Sequence, residues 1–178
     1  ALNNPDAIII THSSMKLIGM REEALAPVRR QILNEIQEEL NELGQGQDAR
    51  ILRSRLEQQY EQAQQRFDRM ISSGNRSGSS ISFEDLGADF LFVDEAHEAR
   101  KLDFTTGLQI KGIDPQGSWQ ALDLYIKTRW LETQHPGRSF VFASGTPVTN
   151  TMGELFTVMR FFDEASLRQL NVHTFDAW

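Results

Sequence analysis

The chain has 178 residues, 39% hydrophobic and 24% charged, which is enough to bury the core of one domain or of one domain with an appendage. Its net charge of −7 has the wrong sign for a tight nucleic-acid binder acting by itself, although local basic contacts remain open to it. Cysteine is absent, which excludes disulfides and thiolate metal sites, and there is no apolar run of membrane-spanning length or leader pattern, so a cytoplasmic setting without membrane contact is expected.

Asp6 to Thr11 is a short β-branched run that predicts a strand leaving into the polar turn His12-Ser13-Ser14. Met15 to Met20 reads as a linking segment. From Arg21 onward the pattern changes. Leu25, Val28, Ile32, Ile36, Leu40 and Leu43 recur at three- and four-residue steps, as do Ala49, Leu52, Leu56, Tyr60, Ala63, Phe67 and Met70. Gly44-Gln45-Gly46 separates the two stripes, so residues 21–72 predict an antiparallel helical hairpin inserted into the domain. Its Glu, Gln and Arg faces suit a solvated or partner-docking arm, with nucleic-acid contact through Arg50, Arg53 and Arg55 as the alternative. Residues 73–80, rich in Ser and Gly, predict a flexible joint, so the hairpin should be removable without unfolding the rest.

Ser82 to Leu86 predicts a one-turn helix. Phe90 to Val93 is an apolar run that suits an inner parallel strand covered on both faces, and it ends in Asp94-Glu95-Ala96-His97. Acids at that point lie where open α/β sheets bind ligands, although a solvated Asp-Glu pair capping a core strand is the plainer reading. Leu102 to Gly117 reads as an exposed loop, and Trp119 to Gln134 as a helix capped by Ser118 and ended by His135-Pro136-Gly137. Leu122, Ile126, Trp130 and Leu131 would share its apolar face. A second apolar strand, Phe140 to Ala143, breaks into Ser144-Gly145-Thr146-Pro147. Thr151 and Glu154 then have the capping-box spacing of a helix running through Phe162. The whole predicts an α/β fold with at least three parallel strands joined by right-handed helical crossovers.

The strings D-E-A-H and S-G-T-P together resemble the DEAH box and the S/T-G-T-P motif of superfamily-two helicases, in the Swi/Snf-like branch. The resemblance implies that residues 1–20 and 81–178 form the later part of a RecA-like ATPase lobe. Asp94 would hold Mg²⁺ on ATP through water, Glu95 would activate the attacking water, and His97 would link the nucleotide site to Ser144, Gly145 and Thr146. His12, Ser13, Arg100 and Lys101 would be weaker nucleic-acid contacts. Arg100-Lys101 stands where the branch more often has Lys-Asn, which leaves that pair's role open. The partners implied are DNA and a second helicase lobe. The wording T-H-S-S, S-G-T-P-V-T-N-T-M-G-E-L-F and F-D-A-W is closest to large phage and plasmid proteins in which such a module joins an N6-adenine DNA methyltransferase.

A phosphate-cradling G-x-x-x-x-G-K-[ST] loop is not found, because Gly107 to Gly112 is followed by Ile113-Asp114. The expectation is a fragment whose phosphate loop lies upstream and which is inactive alone. A zinc-hydrolase H-E-x-x-H reading fails because Lys101 stands where the second histidine is needed. The alternative from another class is a non-catalytic module that docks a protein partner through the hairpin.

Overall fold

The computed structural model describes residues 5–44, 47–76, 81–104, 106 and 117–178. In chain order they form α1 (His12–Met15), α2 (Glu22–Glu42), α3 (Gln47–Arg76), a 3-10 turn (Phe83–Leu86), β1 (Leu91–Val93), a second 3-10 turn (Ala96–Lys101), α4 (Trp119–Gln134), β2 (Phe140–Phe142) and α5 (Met152–Gln169). Helix dominates, around a small sheet in which β1 and β2 pair in parallel and Phe92 lies opposite Val141.

Local chemistry sets several boundaries where expected. The Ser118 hydroxyl accepts from the Ala121 amide and starts α4, and Gly137 leaves it in the left-handed region that glycine adopts without strain. Thr151 starts α5 in the same way, by accepting from the Glu154 amide. That helix does not stop at Phe162. It breaks its helical geometry at Asp163 and continues to Gln169. Ser82 and Asp85 form a reciprocal cap on the first 3-10 turn.

Three expectations about the sheet fail together. Residues 6–11 form no strand, and Ile8, Ile9 and Ile10 are 48%, 97% and 38% exposed. A β-branched run supplies propensity, but a strand also needs a ladder partner, and among the described residues none lies beside it. The sheet therefore has two strands there rather than three. Nor is β1 covered on both faces: Val93 is buried in the core, while Phe92 and its partner Val141 face outward. Among the described residues helices cover one face only, so the continuous apolar run does not mean a doubly covered strand.

Helix α4 is the centre of the molecule. It touches α2, the second 3-10 turn, β2 and α5, and every residue from Ala121 to Thr128 is buried. The single apolar face expected of it is wrong, because neighbours surround it. Its polar residues are satisfied inside. The fully buried Lys127 ammonium donates to the Asp123 carboxylate and to the Met15 carbonyl, both at 2.7 Å, and sits over the Phe83 ring. Thr128 donates to the Tyr125 carbonyl at 2.9 Å.

The hairpin forms, but its base is a wall of the domain. Leu25, Val28, Phe67 and Met70 share one cluster with Phe83, Leu122, Tyr125 and Ile126. Farther out, Ile36, Leu40, Leu56 and Ala63 make a separate cluster. Helix α3 runs through Arg76, so residues 73–76 are helix rather than joint, and 77–80 lie outside the described residues. The loop expected after Lys101 is not exposed at its start. Leu102 and Phe104 are buried, and Phe104 packs with Phe156, Phe175 and Trp178; residues 105 and 107–116, with Gly107 and Gly112, lie outside the described residues.

Candidate functional site

β1 and β2 run in the same direction and end side by side, so the turns that follow them are neighbours. The Ala143 amide donates to the Val93 carbonyl at 2.8 Å and the Ala96 amide to the Ala143 carbonyl at 2.9 Å, which carries the ladder one step beyond both strands. The turn Asp94-Glu95-Ala96-His97 and the turn Ser144-Gly145-Thr146 are thereby held together although a helical crossover through α4 separates them in sequence.

In the first turn, Asp94 is exposed and its Oδ1 accepts from the Glu95 amide at 2.9 Å. Glu95 has φ 50 and ψ 46, the left-handed region; among the described residues only Asn171 shares a positive φ without being glycine. Such a conformation costs a carboxylate residue on the order of 1 kcal/mol and concentrates where a side chain must point in a set direction. The Glu95 carboxylate is 71% exposed, and its Oε2 lies 3.2 Å from His97 Nδ1. His97 Nε2 lies 3.6 Å from Glu98 Oε1. The imidazole is thus bracketed by two carboxylates.

His12 and Ser13 do not behave alike. His12 Nε2 donates to the Asp94 carbonyl at 2.7 Å, so α1 buttresses the acid turn and the ring is turned inward. The Ser13 hydroxyl stays exposed, 2.9 Å from that of Thr11, which caps α1. Lys101 is exposed and bonds both Glu98 carboxylate oxygens at 3.0 Å.

In the second turn, the Ser144 hydroxyl accepts from the Thr146 amide at 3.2 Å. No hydrogen bond joins the Ser144 or Thr146 hydroxyl to Asp94 or His97 among the described residues. The side-chain bridge between the turns is Arg100, whose Nη1 donates to the Thr146 carbonyl and the Thr149 hydroxyl, each at 3.0 Å. Sequence reading passed over this bridge and over Thr149. Glu154 was legible through its spacing from Thr151, but its carboxylate goes elsewhere, accepting from the amides of Thr149 at 2.7 Å and Asn150 at 3.1 Å. Partial burial raises the Glu154 carboxyl, yet those amides, the Thr149 hydroxyl and the Arg100 charge outweigh it and hold the group below its ordinary range.

For a magnesium ion the chain offers the exposed Asp94 and its neighbour Glu95. No group of three or more His, Asp or Glu side chains gathers as a metal cage among the described residues. One carboxylate at a strand end suits an ion held mainly by water and phosphate oxygens, as Mg²⁺ commonly is. No helix among the described residues is long and apolar enough to cross a membrane.

The model of a family described as "Probable helicase domain" matches residues 1–178. No curated protein and no solved structure matches the chain.

Proposed function

The chain belongs to the probable helicase domain family over residues 1–178, and from that premise we propose that it is part of the RecA-like ATPase lobe of a DNA helicase or translocase. One observation carries the reading: two parallel strands bring the D-E-A-H and S-G-T-P turns side by side, with a strained acidic residue between them. The strings themselves support the DEAH-type, Swi/Snf-like branch of superfamily two. The longer wording supports a parent of the phage or plasmid kind that also carries an N6-adenine methyltransferase.

In this reading Asp94 would face the nucleotide and would hold Mg²⁺ through water. Such an ion would supply charge neutralisation on the phosphates of ATP. Glu95 takes the proton of the attacking water onto its exposed carboxylate, and its left-handed backbone aims that carboxylate out of the sheet. His97 receives the consequence, because its Nδ1 lies against Glu95 Oε2. The state of the acid then reaches the Ser144 to Thr146 turn, which faces the second lobe and, through it, DNA. The far half of the hairpin, apart from the main core, is where a protein partner would dock.

The test is Glu95→Gln in the full-length parent. It keeps shape and removes the base, so DNA-stimulated turnover should fall by about 10²–10⁴ while nucleotide binding survives. Near-normal turnover would assign water activation to another group.

A further inference from the structure

Arg100 carries a charge in a region where the turns are exposed, yet its own side chain is only 13% exposed. Its Nε donates to the His97 carbonyl at 2.9 Å, and Nη1 to the Thr146 carbonyl and the Thr149 hydroxyl, both at 3.0 Å. Nη1 also lies 4.0 Å from Glu154 Oε2, and the Arg100 carbonyl accepts from the Thr157 hydroxyl at 2.8 Å. One residue therefore touches the acid turn, the Ser-Gly-Thr turn and α5. A planar guanidinium can satisfy several acceptors at fixed angles, which a lysine ammonium cannot.

Among the described residues the second turn has little else to hold it. Residues 145–150 are exposed, and a side chain added at Gly145 would meet nothing within 4 Å. Packing does not set this turn's position; polar tethers from Arg100 and Glu154 do.

We infer that Arg100 is a positioning residue that fixes the Ser144 to Thr146 turn against the Glu95 to His97 turn, rather than a contact to nucleic acid. The inference rests on the nucleotide-site reading for its effect on turnover, but not for its effect on the turn itself. Movement of His97 is passed through the Arg100 side chain to Thr146 and Thr149, while Thr157 keeps the Arg100 backbone seated on α5.

Hydrogen exchange and steady-state ATPase on the full-length protein test this with Arg100→Ala, Arg100→Lys and Thr149→Val. Arg100→Ala should speed exchange of the Thr149 and Asn150 amides roughly tenfold or more, since their shared acceptor Glu154 loses a neighbouring charge. Turnover should fall about 10²-fold with KM for Mg·ATP nearly unchanged, the mark of a misplaced turn rather than of lost binding. Arg100→Lys should leave both defects largely in place. Thr149→Val, which removes one hydroxyl, should show them in weaker form and guards against a misfolded Arg100 variant. Unchanged exchange at Thr149 and Asn150, full rescue by lysine, or a loss confined to DNA affinity would each overturn the inference. If Glu95→Gln kept its turnover while the exchange changes appeared, the nucleotide-site reading would fall and the tether would stand.

Discussion

At the base of the hairpin, Leu25, Val28, Phe67 and Met70 share the main core with Phe83, Leu122 and Tyr125. In the far half, Ile36, Leu40, Leu56 and Ala63 form a separate cluster whose partly buried neighbours among the described residues, such as Leu52 and Tyr60, belong to the hairpin. The two halves carry the same helical stripe, and single residues in each are buried almost completely: Phe67 is 0% exposed and Leu56 1%. A periodic stripe therefore tells which face is buried but not what covers it. The base is held by α4 and the first 3-10 turn, whereas the far half depends on one seam between two helices, which is marginal in water. Glu35 marks the border, pairing with Arg160 at 3.4 Å and with Arg168 of α5, while Arg66 of α3 pairs with Asp103.

Phe67→Ala should have the largest effect, about 3–5 kcal/mol, because a fully buried ring leaves a cavity that α4 and the first 3-10 turn cannot collapse into. Thermal melts should show the whole domain losing stability together. Leu56→Ala should cost about 2 kcal/mol, and hydrogen exchange should show the loss confined to the far half. Were both variants to weaken every helix equally, the two halves would be one cooperative unit and the contrast would break. Glu35→Gln should cost about 1 kcal/mol, since Arg160 and Arg168 both keep Glu164, and amide exchange should rise where the hairpin meets α5.

Acid gives the smallest effect and sharpens the contrast from outside the hairpin. The Glu154 carboxyl is held below its ordinary value of 4.5, so its contribution is present above that value and is lost as pH falls through the lower, folded one. Glu132 is likewise held down, first by the Ser139 hydroxyl and then by the Gly137 amide. Below about pH 4.5, exchange should therefore rise first at the turns on either side of β2, with the hairpin's apolar seam unaffected. Loss of the far half of the hairpin before those turns would contradict this.

Features whose causes are local were readable from the chain. Ser118 and Thr151 cap their helices because a hydroxyl needs only the amide three residues ahead. β1 and β2 were legible as apolar runs, and the break into Asp94 and Ser144 marked where the side chains of interest would be. Asp6 to Thr11 misled because pairing is settled by a neighbour, not by β-branching. Lys127, Asp123 and Thr128 lie off the apolar face read for α4, and the structure buries all three because each finds a partner within α4 or at Met15. Glu154 was legible as a capping residue but not as the acceptor for Thr149 and Asn150.

By itself the sequence determined the alternation of helix and strand, the caps, the hairpin stripes and the two turns that follow the strands. Each follows from side-chain periodicity or from a hydrogen bond spanning a few residues. Tertiary structure alone decided that α4 is enclosed on all sides, that the hairpin's base belongs to the core, and that Arg100 reaches from the acid turn to Thr146 and Thr149. Those outcomes depend on which surfaces meet between elements distant in sequence, and a residue's type constrains its possible partners without choosing among them.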